Sequence, residues 1–185
     1  DQMRRIGVLM PFSETEAEGK LELGGFAVQL QDLGWTAGRN LRIDNRWAAG
    51  NPERMQTLAK ELVALQPDVL FCRSTPVTGA LMKQTRTIPI VFAVVSDPVG
   101  EGFVASLARP GGNATGFTNA ESSLTGKWLG LLKEIMPSIN RIAFIFDPKV
   151  APGGGTYYTK LIESAAPSFA VIPTAAPVHD PGGIE

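Results

Sequence analysis

The residues able to do chemistry in this chain gather in short stretches, each just after an apolar run. Ser74-Thr75-Pro76 follows Val69-Leu70-Phe71-Cys72. A Ser or Thr just ahead of a helix caps it, and the free N–H groups of the first turn, with the helix dipole, attract a carboxylate or phosphate. The same three residues also make an ordinary cap. Ser96-Asp97-Pro98 follows the apolar run Ile88 to Val95. An acid there either holds an ammonium group or closes a turn. Phe12, Ser13 and Glu14 follow Ile6 to Met10, Asn119 follows Ala114 to Thr118, and Asp147-Pro148 follows Arg141 to Phe146. Asp147 has the form of Asp97, with the turn the stronger reading. An anion site beside an acid is chemistry for grasping a zwitterion without making or breaking a bond.

Other motifs fall away. His179 is the single histidine and stands in a Pro- and Gly-rich tail with no nucleophile motif nearby, so neither a triad nor a metal site can be built on it. Cys72 is the single cysteine, inside an apolar run, and reads as a small buried hydrophobe. Gly153-Gly154-Gly155 lacks the Gly-Lys-Ser/Thr ending of a phosphate loop. Asn113-Ala114-Thr115 matches a glycosylation acceptor at the level of chance. Trp35, Trp47 and Trp128 are expected to pack the core or a hinge rather than a ligand. No catalytic constellation, cofactor fingerprint or metal cluster emerges, and a binding protein is expected rather than an enzyme.

Apolar strands alternating with helical patterns position these residues. Ile6–Met10, Leu41–Trp47, Val69–Cys72, Ile88–Val95 and Ala114–Thr118 read as strands. Between them lie a helix ending at Gly34, a helix capped by Asn51 with Pro52 at its first position, and a short helix opening at Ser74. Met55, Leu58, Ala59, Leu62 and Val63 give the middle helix one apolar stripe. Alternating β and α elements with continuous apolar strands argue for a doubly wound parallel α/β sheet. In such sheets ligands bind outside the carboxyl ends of the strands, at the switch point. That rule selects Phe12, Ser13, Ser74, Thr75, Pro76, Ser96, Asp97 and Asn119, with Asp147 in a second unit.

The second unit restarts the βα pattern. It offers a helix from Ser123 to Met136 with Trp128, Leu132, Ile135 and Met136 inward, a strand Arg141–Phe146, a Gly/Pro loop from Asp147 to Gly155, a helix Tyr157–Ala166 and a strand Phe169–Ile172. A loose tail is expected from Pro173 to Glu185. Two strands are too few to close a sheet, so the chain is expected to be a fragment or a protein that lost its C-terminal part. Residues 1–117 form the expected first lobe and 118–185 a partial second. Apolar faces left open are expected to drive dimerisation, and sedimentation showing only monomer would refute that.

Composition agrees with a folded domain or a domain and a piece. The chain has 185 residues, 44% of them apolar, and its 20 glycines and 14 prolines fall short of the roughly 25–30% that marks low complexity. Lys and Arg number 17 against 18 Asp and Glu, without a basic stripe, which argues against nucleic acid as partner. No apolar run reaches the roughly 18 residues of a bilayer span, and no signal-peptide pattern stands at the start.

The stretches Ile88-Pro-Ile-Val-Phe-Ala-Val-Val-Ser-Asp-Pro-Val99 and Leu107-Ala-Arg-Pro-Gly-Gly-Asn-Ala-Thr-Gly116 closely resemble the ABC transporter substrate-binding proteins of the ABC-sub-bind family. Arg5-Ile-Gly-Val-Leu9, Leu33 to Leu41, Arg46-Trp47, Pro67-Asp68-Val69, Gly126-Lys127, Leu131 to Glu134 and Met136-Pro137 match as well. The likeness covers residues 5 to about 148. It implies a type I periplasmic-binding-protein fold of two doubly wound lobes, with a small ligand clamped between them and a hinge crossing near Phe117–Asn119. It also implies an extracytoplasmic or periplasmic receptor that hands an amino-acid-like ligand to a membrane permease, with no cofactor. Carried over by position, Ser74-Thr75-Pro76 would hold the ligand carboxylate and Asp97 its ammonium. A sensing domain that serves signalling and an α/β enzyme are the alternatives.

Overall fold

A computed structural model of the chain describes residues 3–119, 124–148 and 151–179. It divides into two compact units, Asp1–Thr118 and Asn119–Glu185; the sequence reading put the boundary after residue 117.

The first unit contains strands β1 (Arg4–Met10), β2 (Leu41–Trp47), β3 (Val69–Arg73), β4 (Ile90–Val95) and β5 (Ala114–Thr118), with helices α1 (Ala17–Asp32), α2 (Pro52–Ala64) and α3 (Thr75–Gln84). All strand pairs are parallel and the sheet order is β2-β1-β3-β4-β5. The chain winds outward from β1 to β2, then returns to place β3 on the other side of β1. The switch point is therefore the gap between the carboxyl ends of β1 and β3.

Local sequence explains the helices. The Asn51 side chain accepts the Arg54 N–H at 2.9 Å and Pro52 occupies the first helical position of α2, a favourable helix start. Met55, Ala59 and Leu62 then face inward. With Val77 and Leu81 of α3 they pack on Leu9, Leu70, Cys72, Ile90 and Phe92, which form the larger core. The other sheet face packs Ile6, Val8 and Met10 against α1, where the Phe26 ring stacks on Phe71 at 4.5 Å. Of the α1 residues only Gly19 is fully buried; Phe12 and Trp47 close over it, and a side chain there would collide with both.

The second unit contains α4 (Leu124–Ile135), β6 (Arg141–Phe146), α5 (Thr156–Ala165) and β7 (Ile172–Pro177), with 3₁₀ turns at Pro152–Gly155 and Ala166–Phe169. β6 and β7 pair in parallel. Several expectations are corrected here. The last strand starts at Ile172, not Phe169; Phe169 closes a 3₁₀ turn and packs with Leu129 and Ala166. The strand then runs through Pro173 and Pro177, residues anticipated as loose tail. Among the described residues β7 pairs with β6 alone, and an edge strand tolerates proline. In α4, Thr125 and Leu129 are the buried residues, while Trp128, Leu132 and Ile135, with Met136 just past its end, are exposed. A two-stranded sheet is too narrow to cover the whole apolar stripe of that helix. Trp35 and Trp128, expected to pack the core or a hinge, are 40% and 44% exposed and so are not core residues.

Candidate ligand-binding site

Five of the anticipated residues lie where β3 and β4 end. Arg73 pairs with Ala93 and the Ser74 N–H donates to the Ala93 carbonyl at 3.0 Å, which fixes the two strand ends side by side. Thr75 and Ser96 are both buried, and the Ser96 N–H donates to the Thr75 hydroxyl at 3.4 Å. Pro76 occupies the first turn of α3, so that turn presents the N–H groups of Thr75 and Val77 without intrahelical partners. The Thr78 N–H and hydroxyl both donate to the Ser74 carbonyl, which locks the turn.

Ser74 breaks the local rules. It caps α3 at φ 78°, ψ 154°, a region nearly reserved for glycine, where a side chain costs on the order of 1–3 kcal/mol. Its Oγ is buried and has no hydrogen-bond partner among the described residues. On the adjacent strand β4, Val94 also has a positive φ of 57°, beside a register irregularity between β4 and β5. Positive φ in a β-branched residue is rare. Two strained residues and one orphaned hydroxyl thus cluster at the carboxyl ends of β3 and β4.

Phe12 and Ser13 occupy the end of β1. The Ser13 N–H donates to the Glu16 carboxylate at 2.5 Å, and the Glu16 N–H donates back to the Ser13 carbonyl at 3.2 Å. That first bond holds the Glu16 carboxyl below the usual range. The Ser13 hydroxyl shares a hydrogen bond with Thr15. Asp97 closes a turn: its Oδ1 accepts the Gly100 N–H at 2.9 Å and its backbone carbonyl accepts the Glu101 N–H. A Cβ at position 100 would collide with the Asp97 carboxylate. Asp97 stays half-buried beside Ser96 at the strand ends. Asn119 follows β5, whose Thr118 is paired with Val95, and is exposed. Asp147 follows β6 in the second unit, and its carbonyl accepts the Ala151 N–H.

Sequence reasoning missed Arg73. It sits at the switch point, with its guanidinium carbon 4.8 Å from the centre of the Phe12 ring. Glu18 and Glu22 of α1 pair with it at 3.2 and 2.9 Å. The available signal was an arginine at the end of an apolar parallel strand and two acids spaced i, i+4 on the first helix.

A doubly wound parallel sheet of this order, with helices on both faces, is the fold of a lobe of the type I periplasmic-binding-protein kind. Residues 5–166 match the family of ABC transporter substrate binding proteins, and the chain belongs to that family. It is 35% identical over 123 residues to a tyrosine-binding protein of Clostridioides difficile, covering 66% of this chain and 35% of that protein. The crystal structure of a conserved domain protein from Vibrio cholerae superposes with a TM-score of 0.86 at 28% identity, covering 97% of this chain and 58% of the other. A Streptococcus pneumonia ABC domain in complex with L-Trp superposes with a TM-score of 0.85 at 23% identity, with the same coverage; at that identity it shows the fold. The chain thus spans little more than half the length of these structures and about a third of the curated relative.

Proposed function

We propose that this chain is the ligand-grasping part of an extracytoplasmic solute receptor that serves an ABC importer. The ligand is an amino acid or a close analogue, and no bond is made or broken. The observation that carries the reading is Ser74. A buried hydroxyl without a partner, on backbone strained into a glycine-like conformation, is costly unless something uses it. Here it stands beside the free first turn of α3, where N–H groups and helix dipole receive a carboxylate. Ser96 and the half-buried Asp97 lie alongside, and Asp97 supplies a negative charge for an ammonium group. Phe12 and Ser13 stand at the neighbouring strand end, after β1; Asn119 and Asp147 are the strand-end candidates that belong to the second unit. The tyrosine-binding relative supports an amino acid as ligand class.

Native mass spectrometry of the purified protein with L-tyrosine, L-tryptophan and L-leucine tests this. A retained or added mass equal to one amino acid, lost in Ser74→Ala, is the expected result. Absence of any adduct at millimolar amino acid would overturn it.

A further inference from the structure

Arg73 lies across the switch point rather than beside it. Side chains alternate along a strand, so Arg73 shares the α1 face of the sheet with Phe71, which stacks on Phe26. From there its guanidinium reaches over the Phe12 ring and meets two carboxylates on consecutive turns of α1. One side chain therefore ties together the end of β3, the loop after β1 and the start of α1. The opposite constraint on Phe12 is Gly19, whose bare Cα lets the edge of the Phe12 ring and Trp47 come close.

We propose that Arg73 is a positioning residue that sets the selectivity of the site for the ligand side chain, by fixing the Phe12 ring at the mouth of the crevice. The inference rests on the amino-acid reading above. Three features separate this arrangement from a generic surface ion pair. Arg73 is only 20% exposed. Its Nε, though 2.9 Å from Glu22, makes no hydrogen bond and is buried, so the geometry is not optimised for stability. Its chain neighbour is Ser74, with the strained backbone and orphaned hydroxyl. Aromatic contacts depend on offset and tilt at ring separations of about 4.5–7 Å, so a displaced Phe12 weakens contact with an aromatic ligand. Carboxylate capture at Ser74 and α3 does not pass through Phe12.

The test is Arg73→Lys in the full protein, with L-tyrosine and L-leucine affinities measured by calorimetry and thermal unfolding measured in parallel. Lysine keeps the charge but cannot lie flat on the ring or span both carboxylates with a planar fork. L-tyrosine affinity should fall about five- to tenfold, while L-leucine affinity stays within about twofold and the unfolding midpoint within about 3 °C. Equal losses for both ligands, or none for either, would refute the positioning role while leaving the amino-acid reading intact. If the unsubstituted protein binds neither ligand, the amino-acid reading falls and this inference falls with it. Glu22→Gln repeats the test from the other side of the ion pair, with a smaller change in the same direction expected, should the lysine variant fail to fold.

Discussion

The two ends of the first unit's sheet are built on opposite terms. At the amino ends of β1 and β3, Asp68 accepts the Arg5 N–H and the Arg4 guanidinium, both at 2.7 Å. Asp44 accepts from Arg5 Nε at 2.6 Å and from Arg42, and the Arg5 guanidinium also donates to the Leu65 carbonyl. Both carboxyls are held below the ordinary aspartate range, Asp44 chiefly by Arg5 and Asp68 chiefly by the Arg5 N–H. At the carboxyl ends, Ser74 and Val94 occupy positive φ, the Ser74 hydroxyl is orphaned and the Arg73 Nε lacks a hydrogen bond. One end satisfies its polar groups within the fold. The other leaves the Ser74 hydroxyl unsatisfied on strained backbone, a break in local rules of the kind that marks a candidate functional site.

The largest effect should come from the core that both ends share. Phe92 is 1% exposed in the middle of β4. Phe92→Ala should cost about 3–5 kcal/mol, read as a drop in the urea midpoint of the first unit, and should take ligand binding with it. Binding lost without that drop would mean the mouth is not supported by the core.

Next comes the base. Asp44→Asn removes a carboxylate that answers two arginines and should cost about 1.5–3 kcal/mol at pH 7, with ligand affinity unchanged. The pH dependence has a definite sign. The folded value of Asp44 lies below 3.8, so its stabilisation is present above that pH and is lost as pH falls through the depressed folded value. Unfolding curves from pH 7 down to pH 2 should therefore show a shallower acid limb in the variant. An equally steep limb would assign acid sensitivity elsewhere.

At the mouth the sign reverses. Ser74→Gly places the residue type that favours this backbone and removes the orphaned hydroxyl. It should stabilise the protein by about 1 kcal/mol, the relief of strain exceeding the entropic cost of glycine, and raise the unfolding midpoint by about 3 °C. Amino-acid affinity should fall about tenfold, the worth of one hydrogen bond to a charged group. A variant that is destabilised would show that Ser74 serves the fold, and the contrast between the two ends would disappear.

The scaffold was far more legible in the sequence than the candidate site. Continuous apolar runs made β1 and β4 legible, and Asn51-Pro52 marked the start of α2 to the residue, because these signals are local. That Ser74, Thr75 and Ser96 gather where β3 and β4 end followed from the strand ends alone. The strain at Ser74 and Val94 was not, since no residue type there announces a positive φ. Arg73 with Glu18 and Glu22 was missed because β1, β3 and α1 meet only once the sheet is wound. In α4 the periodicity was right, but burial depends on what covers the stripe, and β6 and β7 are too narrow to do so. Phe169 failed for a related reason: its apolar side chain packs from a turn as well as from a strand.

The smallest expected effect tests how far the looseness of the mouth reaches into the strand. Cys72 stands one residue before Arg73, fully buried, its sulfur 3.3 Å from the Thr78 hydroxyl. Burial pushes the thiol up to about 12, against a weaker downward pull from Thr78. Only the thiolate attacks, so at pH 8 about one molecule in ten thousand carries the reactive form, and it is shielded as well. Labelling with a disulfide reagent should be slow in the native protein and fast in urea, and Ser74→Gly should leave the native rate unchanged or lower. Rapid native labelling would show that the strain at Ser74 opens the end of β3, and that the strained end of the sheet is mobile rather than poised.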